Sequence, residues 1–247
     1  MLLSTQAIVL HTTPFSETSV IAQVFTRQLG LKTYISKGAR GGRGKGRTAL
    51  LQPMRQLDMV VYDTPKKDIN HIKEMQMSHP ANGNTISTLR TSLLFFMNEV
   101  LYKTLRADEP NQPLFDYVDK AISDLDNGRP DADFPIQYLL MVARYLGIEP
   151  YDNYSMHERV FNMNEGRFQS SPSMVYLSEH PQARFFNVEQ SQHLHQYLSA
   201  LHSNEPMPTL SLQQRRGLID YLLDYYQAHL PSFKNFQSHH VLHEVLR

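Results

Sequence analysis

The sequence predicts an α+β fold, in which a small β-barrel at the N-terminal end is followed by an all-helical region. Three observations support this prediction. The first 80 residues contain five short segments with the composition or the period-2 alternation of strands. Beyond about residue 85, apolar residues recur every three or four positions, as in amphipathic helices. A basic, glycine-rich stretch, Lys37–Arg47, lies between the third and fourth strand segments.

The five predicted strands are short and are separated by turn-forming residues such as Pro14, Gly30 and Pro65. They cover residues 4–12, 20–25, 31–36, 55–62 and 69–77. A flat sheet would leave two edges open, whereas a closed barrel pairs every strand. A five-stranded barrel with a basic, glycine-rich loop is typical of the OB-fold, which commonly holds single-stranded nucleic acid. We therefore predict an N-terminal OB-fold domain in residues 1–80.

The third strand segment, residues 31–36, alternates between two types of side chain. We predict that Leu31 and Ile35 face inward and that Lys32 and Tyr34 face outward. A cation beside an aromatic ring suits phosphate pairing and base stacking, so Tyr34 is the predicted stacking residue. Packing of Tyr34 against a neighbouring side chain is the alternative.

The stretch Lys37–Arg47 contains five glycines and five cations, with Ala39 as its one apolar side chain. Because it cannot bury a core, we predict a mobile, solvated loop. Its glycines allow close approach to a partner, and its charges suit the phosphates of a nucleic acid. A charged hairpin loop without a function is one alternative, and five cations in eleven residues argue against it. A localisation signal is another, and the glycine content argues against that.

A nucleotide-binding P-loop is a third alternative for this stretch. When the motif G-x-x-x-x-G-K-[ST] is aligned on Gly44 and Lys45, Ala39 stands where the first glycine belongs. Gly46 stands where a hydroxyl should hold magnesium. Two of the four fixed positions therefore fail, and we do not predict a nucleotide cofactor.

Helices are predicted after a breaker cluster at residues 79–84, where we place the domain boundary. They cover residues 86–105, 113–126, 135–146, 189–201, 212–228 and 241–246. Asn84 or Thr85 is the predicted N-cap of the first helix, and Ser211 is that of the fifth. Residues 151–188 lack a long periodicity, so we predict an irregular excursion with a small hairpin formed by residues 159–163 and 174–177. The second predicted domain, residues 81–247, is otherwise helical.

The formal net charge of this 247-residue chain is zero, but the charge is unevenly distributed. Residues 1–80 contain eleven Lys or Arg and five Asp or Glu, whereas residues 81–247 contain thirteen and nineteen. A front part of +6 and a remainder of −6 indicate that only the first part contacts a polyanion. The N-terminus lacks signal-peptide features, and no apolar run is long enough to span a bilayer. We therefore expect a cytoplasmic protein.

Metal and enzyme sites are not predicted. The chain has no cysteine, which excludes disulfides and thiolate zinc sites. His239 and His243 stand four residues apart, as helical zinc ligands do, but His240 occupies the position where the H-E-x-x-H motif requires glutamate. The nucleophile motif G-x-S-x-G is absent, and the paired acidic residues lie next to turn residues. We predict no metal, no cofactor and no catalytic activity.

Several short motifs occur in a recognisable order along the chain. In the N-terminal part they are Ala7-Ile8-Val9-Leu10, Phe15-Ser16-Glu17-Thr18-Ser19, Phe25-Thr26-Arg27, Lys37-Gly38-Ala39-Arg40 and Leu51-Gln52-Pro53. In the C-terminal part they are Leu114-Phe115-Asp116-Tyr117, Arg144-Tyr145-Leu146-Gly147 with Pro150, and the stretch 233–246. This series resembles the bacterial recombination mediator family RecO over nearly the whole chain.

The resemblance implies an N-terminal OB-fold and a helical C-terminal domain. Many members of the family carry a four-cysteine zinc site where residues 151–188 lie in this chain. Because this sequence has no cysteine, we expect apolar packing to hold that excursion instead.

The resemblance also implies binding of single- and double-stranded DNA, annealing of complementary strands and help in loading recombinase onto gapped DNA. The implied partners are a RecR-type mediator protein and the acidic tail of the single-stranded DNA-binding protein, and the implied location is the bacterial nucleoid. Two other functions stay open. One is an OB-fold RNA-binding protein in translation or RNA processing, and the other is a nucleotide-dependent enzyme.

Two sets of site residues are predicted. The nucleic-acid-binding set consists of Arg27, Lys32, Tyr34, Lys37, Arg40, Arg43, Lys45 and Arg47. An acidic tail requires a cation beside an apolar groove, and the candidate cations are Lys103, Arg106, Arg215 and Arg216. For each of these four, an ordinary solvated helix cation is the alternative.

Overall fold

The computed structural model describes residues 1–39, 45–64, 67–79, 87–107, 109–128, 131–203 and 206–246. Its packing forms two compact units, Met1–Pro130 and Asp131–Arg247. The first unit therefore contains more than the predicted OB-fold domain. The predicted domain division at residue 80 stays a prediction, because packing alone does not show which segments fold independently.

A closed five-stranded barrel forms the N-terminal part of the first unit. Its strands are β1 (Leu2–Pro14), β2 (Val20–Thr26), β3 (Gly30–Ser36), β4 (Gln56–Tyr62) and β5 (Ile69–Met77). They follow the order β1-β2-β3-β5-β4, and β4 closes the barrel by pairing with β1. Every pairing is antiparallel except that of β3 with β5. The predicted barrel is confirmed, and each strand boundary lies within two residues of its predicted place.

The barrel interior contains Tyr34, which corrects the predicted faces of β3. Tyr34 is fully buried in the core cluster and lies opposite Ala22 of β2. Because side chains alternate along a strand, Lys32 belongs to the same inner side, where it lies opposite Val24. The prediction that Tyr34 faces solvent and stacks on bases is therefore wrong. A barrel of this size is filled by its own side chains, and Tyr34 is one of them.

Helix α1 (Lys45–Leu50) packs onto this core from the chain segment between β3 and β4. Leu50 lies against the core cluster, and Leu51 belongs to it. The inward residues of β4 belong to the same cluster, as their alternation predicted: they are Leu57, Met59 and Val61. The cluster therefore includes residues from the strands and from the connection that carries the basic stretch.

Two further helices belong to the first unit, α2 (Thr88–Thr104) and α3 (Gln112–Asn127). The N-cap of α2 is Ser87, whose side chain accepts a hydrogen bond from the Arg90 amide. The predicted caps, Asn84 and Thr85, lie outside the described residues. Helix α3 packs on the barrel, where Phe115 makes an edge-to-face contact with Phe25 of β2 at 5.4 Å between ring centroids.

The linker between α2 and α3 completes the pairing of β3. Strand β3 pairs with β5 at only three positions, residues 33–35, and Leu31 instead forms a parallel bridge with Ala107. Gly30 lies directly against the Glu109 backbone, and a Cβ at residue 30 would be 2.4 Å from the Glu109 carbonyl oxygen. The φ of Gly30 is +70°, which also favours glycine.

The described part of the second unit contains helices and one hairpin. The helices are α4 (Phe134–Tyr145), α5 (Met174–Glu179), α6 (Val188–Ser203), α7 (Leu212–His229) and α8 (Ser238–Val245), and the hairpin strands are β6 (Val160–Asn162) and β7 (Arg167–Gln169). Seven of the twelve residues of α4 are buried, as its apolar sequence indicated. Ser211 caps α7 as predicted, in a reciprocal capping box with Gln214.

The predicted hairpin of the excursion is only half correct. Residues 159–163 include β6, but β6 pairs with β7 and not with residues 174–177. Those residues begin helix α5, whose N-cap Ser173 accepts a hydrogen bond from the Tyr176 amide. The Ser173 side chain thus satisfies the Tyr176 amide, which in a strand would need a carbonyl of a neighbouring strand.

Buried aromatic rings hold the excursion, as expected for a chain without cysteine. Phe161, Phe168 and Phe186 are fully buried, and the Phe161 ring lies 5.1 Å from each of the other two. Tyr225 of α7 contacts the same ring at 5.7 Å. Asn153 fixes β7 by accepting from the Phe168 amide at 2.8 Å and donating to the Phe168 carbonyl at 2.9 Å.

Replacing Gly30 by alanine is expected to lower the free energy of unfolding by about 3 kcal/mol, because left-handed φ and a backbone clash with Glu109 act together. Gly38→Ala is the matched control, since Gly38 has φ +69° but no described atom within 4 Å of its Cβ position. The control should lose about 1 kcal/mol. Urea unfolding followed by circular dichroism measures both, and equal losses would contradict the role of the Glu109 contact.

Phe168→Ala is expected to lower the free energy of unfolding by about 3–4 kcal/mol, because it removes a ring from a packed cluster. Met156→Ala changes an exposed side chain of the same excursion and should have almost no effect. The wild-type thermal midpoint should be unchanged by EDTA. A lower midpoint with EDTA would show that a metal ion, and not ring packing, holds the excursion.

Candidate nucleic-acid interface

The basic stretch leaves the barrel at the end of β3 and returns to it through α1. Ala39 is fully buried in the barrel core, and its carbonyl accepts a 2.7 Å hydrogen bond from the Thr48 hydroxyl of α1. The prediction of a mobile, solvated loop is therefore wrong at Ala39, which is buried, and at residues 45–47, which are helical. Arg40 and Arg43 lie outside the described residues, as does the Lys45 side chain.

Lys37 and Arg47 are brought together by these two anchored ends. Both side chains are exposed, and Nη1 of Arg47 lies 3.5 Å from the carbonyl oxygen of Lys37. Within the described residues, neither of them forms an ion pair with a carboxylate. Two cations ten residues apart in sequence thus share one place at the surface.

The turn between β1 and β2 lies beside this pair and carries an exposed aromatic ring. Phe15 is 60% exposed. In register, Pro14 lies opposite Val20, and Val20 lies opposite Ser36, the last residue of β3 before Lys37. Sequence reasoning did not select Phe15 as a site residue, although a large apolar residue in the polar turn at residues 15–19 was the available signal.

Arg27 is separated from Lys37 and is already engaged. It follows β2 at the opposite end of the β2–β3 pair, six residue steps or about 20 Å from the end of β3. Its guanidinium donates to both carboxylate oxygens of Asp116 on α3, at 2.6 Å and 3.0 Å. This hydrogen bond raises the pKa of Arg27 and lowers the pKa of Asp116. Arg27 therefore holds α3 to the barrel in this structure.

Arg215 and Arg216, two of the candidates for an acidic partner, make contacts within the second unit. Arg215 forms an ion pair with Asp133, and the two side chains are only 15% and 11% exposed. Arg216 donates to the carbonyl oxygens of His243 and Leu246 and so binds the C-terminal helix. Both arginine side chains are therefore held by contacts within the second unit.

Lys103 and Arg106 belong to the same stretch of chain as two exposed aromatic side chains. Phe95 and Tyr102 are 58% and 44% exposed and stand two helical turns apart on α2. The Tyr102 ring is 5.6 Å from that of His11 on β1. Nζ of Lys103 lies 3.6 Å from Oε1 of Glu99. Arg106 is exposed just beyond the end of α2. We call Phe95, Tyr102, Lys103 and Arg106 the α2 surface.

Two kinds of site are not formed by the residues that the structure describes. No group of three or more His, Asp or Glu side chains is placed to hold a metal ion. None of the described helices combines the length and the apolar character needed to cross a membrane.

Comparison with known proteins matches both parts of this chain. The model of the recombination protein O N-terminal family matches residues 1–81, and that of its C-terminal family matches residues 87–236. The chain is 28% identical over 246 residues to a DNA repair protein RecO of Flavobacterium psychrophilum, covering 99% of each chain. It is 29% identical over 248 residues to one of Porphyromonas gingivalis, covering 98% of each. With an OB-fold barrel, a helical remainder and family matches along both, the chain belongs to the recombination protein O (RecO) family.

Proposed function

We propose that this protein is a DNA-binding recombination mediator that anneals single strands and helps to load recombinase onto gapped DNA. Its family supports a role in DNA repair and recombination. The observation that carries the DNA-binding part is the pair of exposed cations, Lys37 and Arg47, at the base of the basic stretch. Arg40, Arg43 and Lys45 complete the proposed phosphate contacts. The site of action is then the bacterial cytoplasm, at the nucleoid.

The proposed contacts are made to phosphates, so they carry no base information. Base edges stay free to pair while the cations offset the repulsion between two polyanionic strands. Binding releases condensed counterions, which makes affinity strongly dependent on salt. Free base edges and reduced repulsion between the two strands are what strand annealing requires. Such a protein acts by binding, and we propose no catalytic step.

An RNA-binding role in translation or RNA processing is the rival function, because phosphate contacts alone do not distinguish RNA from DNA. Competition between DNA and RNA oligonucleotides of one sequence separates the two functions. Preferential displacement by RNA would favour the rival.

We further propose that the acidic tail of the single-stranded DNA-binding protein binds the α2 surface. An acidic peptide that ends in apolar residues would find exposed rings at Phe95 and Tyr102 and a cation at Arg106. Arg215 and Arg216 are left out of this proposal because their side chains are held within the second unit. A RecR-type protein is the other proposed partner, and we assign it no particular surface of this chain.

The proposed DNA contacts are tested by replacing Arg40, Arg43, Lys45 and Arg47 with alanine. The slope of log K against log salt for a single strand should fall by about 0.7 for each lost contact. Strand annealing, measured with and without single-stranded DNA-binding protein, should slow in parallel. Arg159→Ala, at an exposed cation of the second unit, is the control and should change neither. An unchanged slope in the fourfold variant would remove the basic stretch from the DNA site.

The α2 surface is tested by fluorescence anisotropy of a labelled tail peptide with the full chain. Tyr102→Ala is expected to weaken binding about tenfold, because it removes an aromatic anchor. Arg106→Ala should weaken it less and should reduce its dependence on salt. Arg159→Ala is again the control. If the tail peptide binds all three variants with the same affinity, its binding site lies outside the α2 surface.

A further inference from the structure

We propose that Phe15 stacks on an unpaired base beside Lys37 and Arg47, and that it gives the protein a preference for single strands over duplex. This inference rests on the proposed DNA-binding function and adds to it a contact with the bases. The occupant is a single-stranded nucleic acid, whose chemistry alternates phosphates with aromatic faces.

The packing of the barrel does not bury Phe15. Its side chain is 60% exposed, and it makes no ring contact among the described residues. Apolar residues of the two flanking strands, Val9 on β1 and Val20 and Ala22 on β2, belong to the core cluster. Leaving an aromatic ring in water forgoes the free energy that its burial would supply. A ring at such a position is available to a partner.

The turn that carries Phe15 is held by hydrogen bonds. The Phe15 and Ser16 amides donate to the Ser19 carbonyl at 3.0 Å and 3.3 Å. The Ser19 amide donates to the Ser16 hydroxyl at 3.2 Å. The backbone at Phe15 is therefore already ordered before a partner binds, which reduces the entropy lost on binding.

The turn also lies at a suitable distance from the cations. Phe15 is hydrogen-bonded to Ser19, and Ser19 and Lys37 are the chain neighbours of Val20 and Ser36, the last pair in the register of β2 with β3. Two strand spacings separate Phe15 from Lys37, or about 10 Å. A base on the ring would then leave its neighbouring phosphates within reach of Lys37 and Arg47.

The charges around Phe15 favour one orientation of the strand. Glu17 is exposed in the same turn and repels phosphates, whereas Lys37 and Arg47 on the other side attract them. The strand would therefore direct its bases to the turn and its backbone to the basic stretch. In a duplex the bases are already stacked and paired, so the ring has no free base face to meet. Phe15 thus contributes to single-strand binding alone.

The chain contains no tryptophan, which makes Phe15→Trp a single-site fluorescence reporter. Its tryptophan emission is expected to be quenched when the full-length protein binds an oligo(dT) strand, because the indole stacks on thymine. Tyr151→Trp, at an exposed aromatic position of the second unit, is the matched control and should not be quenched. A duplex should quench neither.

Phe15→Ala is expected to weaken oligo(dT) binding about tenfold, as the loss of one base–aromatic stack does. Its affinity for duplex and its salt slope should equal those of the wild type, because no charge is removed. Circular dichroism and the urea midpoint confirm that the variant is folded.

Two results would overturn this inference while leaving the proposed function intact. One is a wild type that binds single strands while Phe15→Ala binds them equally well and Phe15→Trp is not quenched. The other is an equal loss of single-strand and duplex affinity in Phe15→Ala. If the wild type binds no single strand, the proposed function fails and this inference fails with it.

Discussion

Closure of the barrel through β3 is the constraint on which the rest of the first unit depends. The parallel pairing of β3 with β5 covers only three residues. The bridge from Leu31 to Ala107 extends the pairing of β3, and burial of Ala39 and Leu51 adds core contacts from the following segment. The basic stretch is therefore bounded by two structural contacts. This explains how a segment with five glycines can present Lys37 and Arg47 at one defined place.

The same constraint explains what the sequence could and could not predict about the barrel. Strand positions followed from alternation and turn residues, and the inward face of β4 followed from Leu57, Met59 and Val61. The faces of β3 did not, because residues 31–36 offer an apolar or aromatic side chain to both sides. Which of the two faces points inward is determined only by packing inside the closed barrel, where Tyr34 is buried. The ion pair between Arg27 and Asp116 could not be predicted either, because local sequence patterns carry no information about contacts between residues 89 positions apart.

The second unit shows a similar division between local and distant information. The N-cap at Ser211 could be predicted from the sequence because it depends on residues within one helical turn. The need for apolar packing at residues 151–188 followed from the missing cysteines, but its members did not. Phe161 and Phe168 lie opposite each other in the β6–β7 hairpin, whereas Tyr225, 64 residues from Phe161, joins them only through tertiary packing. The short apolar run 174–177 indicated one side of a hairpin, whereas the N-cap at Ser173 makes these residues the start of α5.

Where a polyanion can bind this chain depends less on the number of cations than on which of them are already engaged by carboxylates or carbonyl groups. Arg27 and Arg215 are committed to carboxylates, and Arg216 to backbone carbonyls. A phosphate would have to compete with these contacts, and at the shielded Arg215–Asp133 pair it would leave a carboxylate without its cation. Lys37 and Arg47 require no such exchange, because they are exposed and meet no carboxylate among the described residues. The net charge of zero therefore does not weaken the case for a nucleic-acid interface, since Arg27 and Arg215 are paired with carboxylates while Lys37 and Arg47 leave this end of the barrel positive.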